Sequence, residues 1–178
     1  MIITISGLHG TGKSTIGKSI AKLLEMRYYS TGEAFRELAR EMNMNLEDFT
    51  DYVEQHPEID KKLDQKVIEE AKKGDIIIDS QLGGHLLKNI ADFKILLKCP
   101  LKTRVRRMAE RDDVSYEECL KETKVREKSE LERFKDLYGI DLDDSKKNNE
   151  IYDLILDTKG LSIDEIVNHL IKLIKEKE

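Results

Sequence analysis

Apolar residues follow two rhythms along this chain. Short, nearly unbroken apolar runs end on a polar residue, and between them apolar positions recur every third or fourth residue. The runs predict five strands: Ile2 to Ser6, Arg27 to Tyr29, Ile76 to Asp79, Phe93 to Lys98 and Tyr152 to Asp157. Three of these are apolar almost throughout, as parallel strands covered on both faces should be. Helical spacing follows the first run from Thr15 to Glu25, with Ile16, Ile20, Leu23 and Leu24 on one side. A second clear helix runs from Ser162 to Lys175. It opens on a Ser162/Glu165 capping box and carries Ile163, Ile166, Val167, Leu170, Ile171 and Ile174 as a stripe for the sheet. The expected fold is α/β: three layers, with a five-stranded parallel sheet between helices.

Two segments interrupt the alternation of strand and helix. Thr31 to Lys73 holds several helical patterns and no strand, and Arg107 to Asn149 is dense in charge. Each leaves the sheet after a strand's C-terminal end, the edge where open α/β sheets bind ligands. The expectation is one domain over residues 1–178 with two small helical flaps, 31–73 and 107–149, beside a ligand site. Asp141 to Glu150 reads as a solvent loop.

Composition narrows the class without naming a function. The chain is 39% hydrophobic and 38% charged, enough apolar material for a core. A net charge of -5 argues against nucleic acid as a partner. Cys99 and Cys119 lack metal-ligand spacing and read as reduced, partly buried residues. No basic, apolar leader pattern opens the chain and no stretch approaches ~20 apolar residues, so the expected setting is the cytoplasm, with no membrane partner.

The chemistry begins right after the first strand. Gly7-Leu8-His9-Gly10-Thr11-Gly12-Lys13-Ser14 is a complete G-x-x-x-x-G-K-S loop between a strand pattern and a helix pattern. Backbone N–H groups from Gly10 to Ser14 can wrap a β-phosphate, and the helix N-terminus adds its dipole. Lys13 can reach the β- and γ-phosphates, and the Ser14 hydroxyl can ligate Mg2+. The cofactor-binding set is therefore Gly7, Leu8, His9, Gly10, Thr11, Gly12, Lys13, Ser14 and Thr15, with His9 read as more bystander than contact. Asp79 ends the Ile76-Ile77-Ile78 run at the same sheet edge, which makes it the second candidate metal ligand. The loop predicts a bound nucleoside triphosphate with Mg2+.

A second anion site is suggested by Tyr29-Ser30-Thr31-Gly32-Glu33-Ala34-Phe35-Arg36, where a strand ends, a hydroxyl-rich turn follows and a helix begins. Thr31 and Arg36 are its candidate phosphate readers. Further on, Arg104 and Arg107 stand three apart, Arg107 and Arg111 four apart, and Arg126 and Arg133 seven apart, so each pair shares a helical face. Like charges on one face repel unless an acid or an anion answers them. Both salt bridging and an anion clamp remain open for any one of these arginines.

Taken together these stretches resemble the nucleoside monophosphate kinases, and among them the archaeal cytidylate kinases. The resemblance rests on Ser30, Gly32, Phe35 and Arg36, then on Leu46-Glu47-Asp48-Phe49, Glu54-Gln55-His56-Pro57-Glu58-Ile59-Asp60 and Leu63-Asp64. It continues through Arg107-Met108-Ala109-Glu110-Arg111, Arg126-Glu127-Lys128-Ser129-Glu130, Arg133, Tyr138-Gly139-Ile140-Asp141 and Tyr152-Asp153-Leu154-Ile155, nearly the whole chain. It implies ATP-dependent phosphorylation of CMP or dCMP, with residues 31–73 as the monophosphate-binding flap. It also implies Lys13, Arg107, Arg126 and Arg133 as catalytic residues, Arg107 and Arg111 beside the triphosphate, and Arg126 and Arg133 at the transferred phosphoryl. Thr31, Arg36, Asp79 and Gln81, with Arg126 and Arg133, would line the monophosphate site. Arg104 and Arg106 read as stem residues.

One departure stands out. After the third strand the family usually carries Gly-Arg, and that arginine helps to hold the monophosphate. This chain has Asp79-Ser80-Gln81, whose amide carries no charge and cannot fork onto phosphate. His85 and Lys88 are the nearby candidates to compensate. Two other readings stay open: a kinase for another monophosphate or small acceptor, and a nucleotide-dependent switch module. The expected partners are small nucleotides, with the chain a monomer and a dimer left open.

Overall fold

The computed structural model describes residues 1–177. Its strands are β1 (Ile2–Ser6), β2 (Arg27–Ser30), β3 (Ile76–Asp79), β4 (Phe93–Lys98) and β5 (Leu154–Asp157). They form one parallel sheet in the order β2-β3-β1-β4-β5. All five lie where the apolar runs put them, with ends moved by at most two residues at Tyr152. Tyr152 instead closes the preceding helix, and Asp153 N–H joins the Lys94 carbonyl at 2.9 Å just before the strand begins.

The helices in chain order are α1 (Lys13–Leu23), α2 (Thr31–Glu41), α3 (Leu46–Gln55), α4 (Pro57–Lys72), α5 (Gly83–Leu86), α6 (Leu101–Asp112), α7 (Tyr116–Tyr138), α8 (Ser145–Ile151) and α9 (Ile163–Lys175). Strand β3 shows why the sheet lies between two layers. Ile77 packs with Ile3, Ile5, Ile16, Ile20 and the α9 residues Ile166, Leu170 and Ile174. Its neighbours Ile76 and Ile78 point the other way, to Val67, Ala71 and Leu87. Alternate residues of a strand face opposite sides, so a run apolar at every position needs cover on both. The α9 capping box is present, with the Ser162 and Glu165 side chains each bonding the other's backbone N–H.

Helices α2 to α4 fill the stretch between β2 and β3, with a small core of their own at Ala39, Phe49 and Val53. Between β4 and β5 come α6 to α8, with Val105, Met108, Ala109 and Cys119 packed at the α6–α7 joint. The sequence of Asp141 to Glu150 suggested a solvent loop; instead it carries most of α8. Asp144 caps that helix through Lys147 N–H at 3.0 Å, and buried Asn148 donates to the Leu142 carbonyl at 2.8 Å. Lys146, Lys147, Asn149 and Glu150 are exposed and the buried residue is the polar Asn148, so no apolar period announces this helix. Both cysteines are unpaired thiols. Among the described residues no helix is long and apolar enough to cross a membrane.

Candidate functional site

The glycine-rich loop joins β1 to α1 and sits against two neighbouring backbones. Gly7 has φ 145° and Gly10 has φ 77°. A Cβ on Gly7 would stand 2.5 Å from the Leu97 carbonyl oxygen, and one on Gly10 would stand 2.7 Å from that of Arg104. Both positions therefore exclude a side chain by space as well as by backbone angle. Inside the loop the Thr11 hydroxyl donates to the Leu8 carbonyl at 2.8 Å. Lys13 donates to the same carbonyl at 3.1 Å. Burial lowers the Lys13 pKa, Asp79 and Glu130 work against that, and Arg104 and Arg126 add to it. That set of neighbours puts the Lys13 ammonium at the meeting point of loop, sheet edge and α7.

Asp79 stands at the C-terminal end of β3, as its place in the run required. Its Oδ2 accepts from the Ser14 hydroxyl at 2.6 Å, the Tyr28 hydroxyl at 2.8 Å and the Ser30 hydroxyl at 3.2 Å. Ser30 also caps α2 by accepting from Glu33 N–H. With the Ser14 hydroxyl on the Asp79 carboxylate, the two offer a hard-oxygen pair of the kind Mg2+ takes. Among the described residues no group of three His, Cys, Asp or Glu could hold a metal. Ser14 and Asp79 would therefore supply two oxygens, leaving the other positions to phosphate and water. Tyr28 is held protonated, its pKa raised by burial and by Asp79.

Across the gap lies α7, and two acids there escaped the sequence reading. Glu130 accepts from His9 Nε2 at 2.6 Å, from Gln81 Nε2 at 2.9 Å and from Arg126 Nε at 3.1 Å. Burial alone would raise its pKa, but His9, Arg126 and the Gln81 amide outweigh burial and hold it below the usual carboxylate range. His9 is lowered by burial, against the pull of Glu130. Glu127 pairs with buried Arg104, whose guanidinium also donates to the His9 carbonyl at 2.7 Å and the Cys99 carbonyl at 3.0 Å. The His9 ring thus bonds to α7, and Arg104 holds the phosphate loop through the His9 carbonyl. A charged helix with no apolar stripe gives no signal of its inward face; only the spacing of Glu127 and Glu130 from Arg126 and Arg133 could have drawn attention to them.

The remaining candidates divide. Arg107 donates to the Thr158 hydroxyl at 3.1 Å and to its carbonyl at 2.8 Å, and Thr158 in turn donates to the Thr11 carbonyl at 3.2 Å. That ties α6 to the β5–α9 turn and the phosphate loop. Arg133 pairs with Asp60 of α4 at 3.0 Å. Exposed Arg111 pairs with its neighbour Asp112 at 2.6 Å. Arg36 is exposed, with Asp112 in its field. The Thr31 hydroxyl and the Gln81 carbonyl oxygen are buried without a hydrogen-bond partner. His85 packs on Tyr152, ring centroids 5.9 Å apart, and Lys88 is exposed, so neither joins Gln81 in the gap.

A family model described as the cytidylate kinase-like family matches residues 2–160. A protein named cytidylate kinase from Methanocaldococcus jannaschii is 42% identical over 171 residues, which cover 94% of each chain. Another of that name from Staphylothermus marinus is 38% identical over 176 residues, covering 99% of this chain and 97% of that one. Among solved structures, one of an uncharacterized protein from Eubacterium ventriosum superposes with a TM-score of 0.70. It is 17% identical and the match covers 99% and 98% of the two chains, a likeness of fold.

Proposed function

The chain belongs to the cytidylate kinase-like family, and from that premise we propose that it transfers the γ-phosphoryl group of ATP to CMP or dCMP. ADP and a cytidine diphosphate leave. The carrying observation is the convergence on one gap of Lys13 from the phosphate loop, Asp79 from the sheet edge and Arg126 from α7. An acceptor phosphate oxygen is already anionic, so the reaction asks for charge and alignment more than for a base.

On this reading the loop backbone from Gly7 to Thr15, with Lys13, Ser14, Arg107 and Arg111, serves ATP, and Thr31, Arg36 and Asp79 serve the monophosphate. Lys13, Arg126 and Arg133 neutralise charge on the transferred group, each such donor being worth roughly 10²–10³ in rate. Without substrate, Arg126 rests on Glu130 and Arg133 on Asp60. Phosphate oxygens would take over as their partners, Arg133 from a largely buried position and Arg126 from a partly exposed one. Ser14 and Asp79 would hold Mg2+, which when bound screens the charge between donor phosphates. Residues 31–73 and 107–149 act as flaps whose closure keeps water from the γ-phosphoryl.

The deciding assay measures ADP release from ATP and Mg2+ with CMP, dCMP, UMP, AMP or no acceptor. Turnover that depends on a cytidine monophosphate is expected. Hydrolysis indifferent to the acceptor would overturn the reading.

A further inference from the structure

Glu130 is hydrogen-bonded by groups from three separate elements between the two substrate sides. Its Oε2 takes His9 Nε2 from the phosphate loop and Gln81 Nε2 from the turn after β3, while Oε1 takes Arg126 from its own helix. An ionised carboxylate only accepts, so His9 must carry its proton on Nε2. His9 Nε2 and Gln81 Nε2, 3.0 Å apart, are then two donors converging on one oxygen, with no bond between them. Turning the Gln81 amide over would set its carbonyl oxygen against the carboxylate, so its orientation is fixed too.

Such an arrangement exceeds what packing α7 requires. Arg126, one turn away on the same helix, already answers the charge of Glu130. The two extra donors come from loops that flank different substrates: His9 lies inside the phosphate loop, and Gln81 lies two residues beyond Asp79. Neither reaches Arg126 directly. Both reach it only through the carboxylate that orients its guanidinium.

We infer that His9 and Gln81 are paired positioning residues that seat Glu130, and through it Arg126, over the phosphoryl-transfer gap. This rests on the kinase reading for its catalytic consequence. Arg126 is then aligned only when the phosphate loop, the β3 turn and α7 are in register at once. Gln81 contributes a neutral donor to a carboxylate here, so it needs no charge and no fork onto phosphate to affect the rate.

The test uses the full chain with His9→Phe, Gln81→Leu, the double variant and Gln81→Arg, which keeps donors at that position. Each single loss should lower kcat about 10–100-fold, the range of one charge-assisted hydrogen bond, with KM for ATP and for CMP within about threefold of wild type. Because both act through Glu130, the double variant should fall well short of the product of the two losses, and Gln81→Arg should keep most of the rate. Multiplicative losses, or an effect confined to one KM, would mean that each residue touches a substrate on its own and would overturn the inference. A second readout is independent of activity: amide hydrogen exchange in 126–133 of the ligand-free protein. Either single loss should speed it, and unchanged exchange would equally overturn the proposal. An inactive wild type with faster exchange in the variants would instead remove the kinase reading and leave the junction standing.

Discussion

Asp60 of α4 and Arg133 of α7 meet across the cleft, the Asp60 carboxylate accepting from Arg133 Nε at 3.0 Å. Their side chains are only 11% and 12% exposed. Alongside, Ser129 donates to Glu54 of α3, and the Tyr138 hydroxyl donates to Asp64 at 2.5 Å. An ion pair and hydrogen bonds thus join the two helical flaps at this seam. An anionic substrate can exchange with such contacts.

Breaking that pair from the cationic side should affect activity and stability in separable ways. Arg133→Met removes a proposed hydrogen-bond donor to the transferred phosphoryl group and leaves Asp60 buried without its partner. We expect kcat to fall on the order of 10²–10³. Stability should fall too, by less than the ~3–5 kcal/mol of a fully buried broken pair, because the flaps can part. Adding Asp60→Asn should return the melting temperature and leave kcat low. Recovery of both together would mean that Arg133 acts on structure only.

Lys13 should show the opposite balance. It donates to the Leu8 carbonyl of its own loop, and burial lowers its pKa, so the folded protein holds this charge at a cost. Lys13→Met is expected to lose at least ~10²-fold in kcat, in line with loss of an electrostatic donor. Its thermal midpoint should equal or exceed wild type, as when a strained functional charge is removed. Near-normal ADP formation in this variant would contradict the assignment of the loop.

The fold was open to sequence reading where burial dictates composition. Ile76, Ile77 and Ile78 must be apolar because both faces of β3 are covered, and the glycines of the phosphate loop must be small because Leu97 and Arg104 crowd them. The Asp79 and Ser14 pairing followed from the parallel sheet delivering its strand ends to one edge. What was hidden is polar and long-range. Glu127 and Glu130 look like any solvated acid on a charged helix, and their partners stand far away in sequence at Arg104, His9 and Gln81. Similarly, α8 is held by its Asp144 cap and the buried amide of Asn148, neither of which leaves a periodic trace.

Asp64 gives the structure a signature in acid. Burial raises its carboxyl to about 6 from an ordinary 3.8, although the Tyr138 donor pulls the other way. A raised carboxyl binds its proton more tightly when folded. Its contribution to stability is therefore fully present below pH 3.8 and lost as pH rises through about 6. Asp64→Asn keeps an acceptor for Tyr138 and drops the titration. The variant should match wild type near pH 4 and exceed it at pH 7.5 by an amount on the order of 2–3 kcal/mol. Urea unfolding of both proteins at the two pH values checks this, and a difference that does not change with pH would assign the titration elsewhere.

Arg104 and Glu127 form the buried ion pair behind the phosphate loop, with Arg104 only 4% exposed. The same guanidinium binds the His9 and Cys99 carbonyls, so it joins α7, α6 and the loop at one point. Arg104→Met should cost about 3–5 kcal/mol, mostly because Glu127 is left as an uncompensated buried charge. Arg104→Met with Glu127→Leu removes both charges and should recover most of that loss. It does not recover the donor to the His9 carbonyl, so the loop stays looser. KM for ATP should then rise about tenfold, the worth of a hydrogen bond to a charged group, while KM for CMP changes little. Chemical denaturation and steady-state kinetics on the three proteins separate the two effects. If the double variant is as unstable as Arg104→Met, the carbonyl contacts, and not the ion pair, hold this joint together.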